Sequence, residues 1–223
     1  MVAGVIQLRQ LLREKFPGLV TRADELSTKR RDGWPSGIAR LDVRLGGGFP
    51  KSAISEVIAP HMGCGSALVL LQLLRRAVSQ NQFVALVDGR DSLDAAAVEQ
   101  STLSHLLWIR CHNADEAVKA TDLVLRDGNL PVVLLDLALN PAGELRKIPP
   151  PTWYRFQRIV EQSTATFIVL TPQAMISPAE VRVTLRSRFA LNAVEADQVK
   201  LTMELDFDVS EASPGEELLR RSA

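Results

Sequence analysis

Residues 132–137 read Val-Val-Leu-Leu-Asp-Leu, an unbroken run of β-branched and leucine side chains interrupted by a single aspartate. A strand with one wet face alternates apolar with polar residues, so a short run without alternation describes a strand buried on both faces. Residues 167–170 (FIVL) have the same character, and 53–58, 83–87 and 106–109 supply further strand segments. Helix-forming stretches fall between them at 66–78, 93–103, 114–126 and 154–162. Strands alternating with helices at short spacing predict an α/β fold, a mostly parallel central sheet flanked by helices on both sides. In the final third, residues 181–187 and 200–207 alternate and 189–193 are apolar, which predicts antiparallel edge strands closing the sheet near the C-terminus. The Pro149-Pro150-Pro151 run reads as a stiff linker, and the triple glycine Gly46 to Gly48 as a flexible turn.

The 223 residues suit one well-buried domain with appendages. Apolar residues at 46% and charged residues at 23% match a globular chain and exclude disorder as the dominant state. Lys plus Arg equal Asp plus Glu at 26 each, so nucleic-acid binding would need a local patch, for which Lys29, Arg30 and Arg31 are the candidates. Two cysteines without CxxC spacing, Cys64 and Cys111, speak against a disulfide framework or zinc knuckle and fit a reducing cytoplasm. The three histidines have no metal-ligand spacing, and no signal peptide or membrane span is legible.

The chain parses into three parts: an N-terminal helical arm and linker (1–35), a core (36–208) and an acidic, mobile tail (209–223). In the arm, Val5, Leu8, Leu11, Leu12 and Phe16 recur at helical spacing, an apolar face able to pack on its own domain or lie in a partner's groove.

Strand, turn and helix over residues 54–74 are the setting of a P-loop. That motif, Gly-x-x-x-x-Gly-Lys-Ser/Thr, needs glycines where backbone wraps phosphate, a lysine for the β and γ oxygens and a hydroxyl for magnesium. The turn here runs Ala59-Pro60-His61-Met62-Gly63-Cys64-Gly65-Ser66. Ala59 and Cys64 stand at the two glycines, Gly65 stands at the lysine, and only Ser66 matches.

Around this emptied turn the sequence resembles the RecA family, and within it the short ImuA-type branch. The resemblance is carried by Ser36-Gly37, Leu41-Asp42, Leu45-Gly46-Gly47-Gly48-Phe49-Pro50 and Glu56-Val57-Ile58, then by residues 86–94 and by Leu134-Leu135-Asp136. It covers residues 36–188. It implies a RecA-like three-layer fold with Ala59, Gly63, Cys64, Gly65 and Ser66 as a vestigial P-loop and Asp136 as a vestigial Walker B aspartate. Arg90 stands where RecA carries its catalytic glutamate and cannot accept a proton from water. The resemblance further implies a non-catalytic accessory role in the DNA-damage (SOS) response, with no cofactor and no metal. Its partners would be RecA or a translesion polymerase assembly with ImuB-like and DnaE-type components. Two alternatives stand beside it: an atypical ATPase using Lys51 or Arg90 as its cation, and a SulA-like inhibitor of cell division.

Overall fold

The computed structural model describes residues 33–190, 193 and 197–211, and in it the apolar runs become the interior of one seven-stranded sheet. In chain order the small strand β1 (Gly33–Trp34) is followed by α1 (Ala39–Arg44), β2 (Phe49–Pro50), β3 (Ala53–Ile58), α2 (Ser66–Ser79) and β4 (Val84–Asp88). Next come α3 (Gln100–Leu103), β5 (Leu106–Arg110), α4 (Ala114–Asp127), β6 (Val132–Asp136), α5 (Ala142–Leu145) and α6 (Pro151–Glu161). The order closes with β7 (Thr166–Thr171), β8 (Val181–Leu185), α7 (Gln198–Met203) and β9 (Phe207–Glu211). The sheet order is β5-β4-β6-β7-β3-β8-β9, parallel throughout except for the β8–β9 pair. The architecture is α/β and consistent with a RecA-like fold.

The missing alternation in β6 has a direct cause. Leu134 packs with Leu73 and Leu74 of α2, Val57, Leu86 and Ile168 on one face, whereas its neighbour Leu135 joins Ile54, Val87, Phe167 and the helices α4 and α6 on the other. Because successive strand side chains point to opposite faces, a strand between two helical layers must be apolar at every position. Aromatic edges brace the second layer: Trp153 meets Phe156 at 6.0 Å and Phe156 meets Phe167 at 5.9 Å, both near perpendicular.

Glu56 breaks the apolar rule at the middle of β3, fully buried. Its Oε1 accepts from the Thr171 hydroxyl (3.0 Å) and from the backbone N–H groups of Met175 (2.8 Å) and Ile176 (3.2 Å). Its Oε2 accepts from Arg182 Nε at 2.9 Å, and Arg182 also donates to the Ile176 carbonyl at 2.7 Å. One carboxylate thereby ties β3 to β7, to the segment leaving β7, and to β8.

Several local expectations change in three dimensions. The stretch 93–103 is two short pieces, a 3-10 turn at Ala95–Ala97 capped by Asp94 (accepting from Ala96 N at 2.9 Å) and then α3. The proline run is no linker: Pro151 opens α6, where a missing N–H is harmless. Residues 200–207 are not a strand, because Asp197 caps α7 by accepting from Val199 N at 2.9 Å and β9 starts only at Phe207. The run K-L-T-M-E-L fits both periods, and the cap decides between them. Strand β8 runs parallel to β3, so only β9 is antiparallel, and Phe189 lies outside any strand. The glycine turn is specified rather than loose: at Gly48 (φ +136°) a Cβ would stand 2.3 Å from the Trp34 carbonyl oxygen. Strand β9 continues to Glu211, past residue 208. The arm residues Val5, Leu8, Leu11, Leu12 and Phe16, the run Lys29 to Arg31 and residues 212–223 lie outside the described residues.

Breaking the buried Glu56–Arg182 pair leaves an unpaired buried charge. Glu56→Leu is expected to lower unfolding stability in urea by about 3–5 kcal/mol, and adding Arg182→Leu to recover most of that loss.

Candidate functional site

The turn after β3 is held at both ends. Ala59 N donates to the Thr171 carbonyl at 2.7 Å, and α2 starts at Ser66 behind a left-handed Gly65 (φ +95°). Between them Pro60, His61 and Met62 are exposed, while Cys64 is fully buried, its thiol shut away from solvent. The C-terminal segment closes over this turn. Phe189 N donates to the Gly63 carbonyl at 2.9 Å, and a Cβ at Gly63 would stand 2.7 Å from the Phe189 carbonyl oxygen. A Cβ at Gly65 would stand 2.3 Å from Leu205 Cδ2 and 3.3 Å from the Phe189 ring. Arg40 fixes the lid from outside, donating to the carbonyls of Met203 (3.1 Å) and Leu205 (3.2 Å). Gly65, which aligns with the lysine of a P-loop, is thus packed against Leu205 and Phe189 and leaves no room for a side chain.

A cleft of about 550 Å³ opens beside this turn at the C-terminal ends of β3, β4, β6 and β7. In open α/β sheets this edge is where ligands bind. Ser66, Gly63 and Ala59 line it together with Asp136, so the structure brings these predicted residues to one place; Cys64 and Gly65 face elsewhere. Apolar side chains dominate the wall, among them Leu70, Leu71, Leu93 and Leu139. Its carboxylates are Asp94 and Asp136, the His61 imidazole also lines it, and no described lysine or arginine does.

Asp136 ends β6 directly opposite Asp88, which ends β4. Asp88 is buried and well satisfied, accepting from the backbone N–H groups of Ser92 (2.8 Å) and Leu93 (2.9 Å) and from the Trp108 indole (3.3 Å). Asp136 is partly buried and accepts from Ala138 N at 2.9 Å. Burial pushes its carboxyl up to about 6, with the Asp88 charge adding to the rise against the Ala138 bond. Asn140 locks the floor, donating through Nδ2 to the Gly89 carbonyl (3.0 Å) and to Glu144 (3.1 Å).

The two proposed substitute cations are not in the cleft. Arg90 donates to the His112 carbonyl at 3.0 Å and lies 3.8 Å from Glu144. Lys51 precedes β3 and so belongs to the other end of that strand. The neighbouring Asp91 is held by Arg110, accepting from its Nε and Nη2 at 2.5 and 2.7 Å. Asp88 and Asn140 were not among the residues singled out from sequence. Asp88 closes the run Val-Ala-Leu-Val-Asp as Asp136 closes Val-Val-Leu-Leu-Asp, a signal that was available; Asn140 left none.

A magnesium triphosphate needs a lysine and exposed loop amides in addition to a hydroxyl and a carboxylate. The cleft retains Ser66 and Asp136 but has no lysine or arginine among its described lining, so that lining does not fit the ligand.

No protein-family model matches the chain. Among curated proteins it is 30% identical over 144 residues to the RecA protein of Methylococcus capsulatus, covering 62% of this chain and 41% of that protein. The core is similar to RecA. It is 28% identical over 143 residues to RecA of Cutibacterium acnes and of Thermus thermophilus, again over 62% of the chain. The chain spans about two-fifths of the length of the RecA proteins it matches.

The raised Asp136 carboxyl has a stability consequence. The native state keeps a proton that the unfolded chain, with an ordinary value of 3.8, releases as pH rises towards about 6, so stability falls across that window. Asp136→Asn keeps the acceptor for Ala138 N and removes the charge. It is expected to exceed the parent in stability by about 1–2 kcal/mol above pH 6, discounted for partial exposure, with the difference narrowing towards pH 4 in urea titrations.

Proposed function

We propose that this chain is a non-catalytic RecA-like accessory factor of the ImuA type, acting in the DNA-damage (SOS) response by docking rather than by nucleotide turnover. Its partners in this reading are RecA and a translesion polymerase assembly. The observation that carries the proposal is a RecA-like sheet whose nucleotide edge lacks a lysine or arginine among its described lining and whose lysine position is packed against Leu205. Similarity to RecA proteins supports the DNA-repair context. The engagement of Arg90 with His112 and Glu144 speaks against its service as a catalytic cation.

Two measurements test this. Phosphate release from ATP and magnesium is expected to stay at buffer background, unchanged by Ser66→Ala or Asp136→Ala; turnover lost in either variant would return the chain to the ATPases. Sedimentation of the full chain with RecA and with the polymerase components of its own organism is expected to show a complex. Absence of any complex would overturn the docking role.

A further inference from the structure

Several surface carboxylates have a basic partner. Asp91 holds Arg110, Asp115 holds Lys119, Asp122 holds Arg126 and Arg155, and Glu144 faces Arg90. Among the described residues Asp136 carries one side-chain hydrogen bond, from Ala138 N, and Asp94 one, from Ala96 N, and neither has a cation. They sit in a mostly apolar wall, and its rim exposes two large apolar side chains, Met62 at 87% and Leu139 at 56%. These come from separate connections, the turn after β3 and the turn after β6, so the sheet brings them to one mouth.

We infer that this cleft receives a short basic and apolar segment of a protein partner, its arginine or lysine head set against Asp136 and Asp94 and its apolar flanks covering Met62 and Leu139. The inference rests on the docking reading above and names the chemistry of what is docked. Charge complementarity selects the occupant: a phosphate or acidic segment would meet two carboxylates with no described lysine or arginine and only the His61 imidazole at the rim, while a guanidinium on a long apolar stem satisfies both wall and floor. About 550 Å³ accommodates a few side chains of such a segment. Neutralising Asp136 also offsets the unfavourable burial of its charge, so occupant and site gain together.

The test uses the full chain and a fluorescein-labelled peptide, Leu-Ala-Arg-Ala-Leu-amide, with the same peptide carrying neutral citrulline for arginine. Fluorescence anisotropy is expected to show saturable binding of the arginine peptide, weakened tenfold or more by citrulline and by Asp136→Asn. Met62→Ser with Leu139→Ser is expected to weaken it several-fold. Spermidine, which offers cations without apolar flanks, is expected to compete poorly. The inference is overturned if neither peptide binds, if the two bind alike, if Asp136→Asn binds as the parent does, or if spermidine displaces the peptide at equal concentration. Calorimetry with ATP and magnesium on the same protein separates the two levels: saturable ATP binding overturns the docking reading itself, whereas absence of both ATP and peptide binding overturns only the occupant inferred here.

Discussion

Burial of the central strands on both faces is the constraint from which the rest of this structure follows. Strands β3, β4, β6 and β7 lie between two helical layers, so their interiors admit few polar groups, and a charge buried among them has to be bonded. Glu56 meets that condition with three backbone or hydroxyl donors and Arg182. Elsewhere polarity is displaced to the strand ends. Asp88 and Asp136 therefore appear side by side where β4 and β6 stop, and the functional edge of the molecule is the line along which apolar burial gives way to solvent.

At that edge the cleft is lined by carboxylates without a described lysine or arginine, the reverse of the charge a phosphate site relies on. Phosphate sites of this architecture rely on exposed backbone N–H groups and a lysine. Here the turn is clamped by Phe189, the residue preceding α2 is pressed against Leu205, and the charged groups lining the cleft are carboxylates. The reversal has a physical cost, since Asp136 holds its charge in a partly buried position beside Asp88.

Much of this was legible beforehand because it depends on short-range rules. Continuous apolar runs announce doubly buried strands, and 53–58, 132–137 and 167–170 all fall on observed strands, give or take a residue. The helices at 66–79 and 114–127 follow from their periodicity, and the absent lysine is read directly at Gly65. The failures occurred where two local rules compete. Residues 200–207 fit helix and strand periods alike until Asp197 caps a helix, and the proline run could equally join two elements or open α6. Arg90 and Asp91 are adjacent in sequence yet each pairs with a residue from another element, a choice made by strand register and not by proximity along the chain.

The amino-acid order alone determined the α/β alternation, the two-sided burial of the sheet and the glycine, rather than a lysine, that precedes Ser66, because backbone preference and side-chain period act within a few residues. Only the folded chain decided that Leu205 would pack against Gly65, that Asp88 would stand beside Asp136, and that the resulting cleft would hold two carboxylates without a described lysine or arginine. Those facts depend on segments far apart in sequence meeting across the sheet, and no local periodicity encodes which of them will touch.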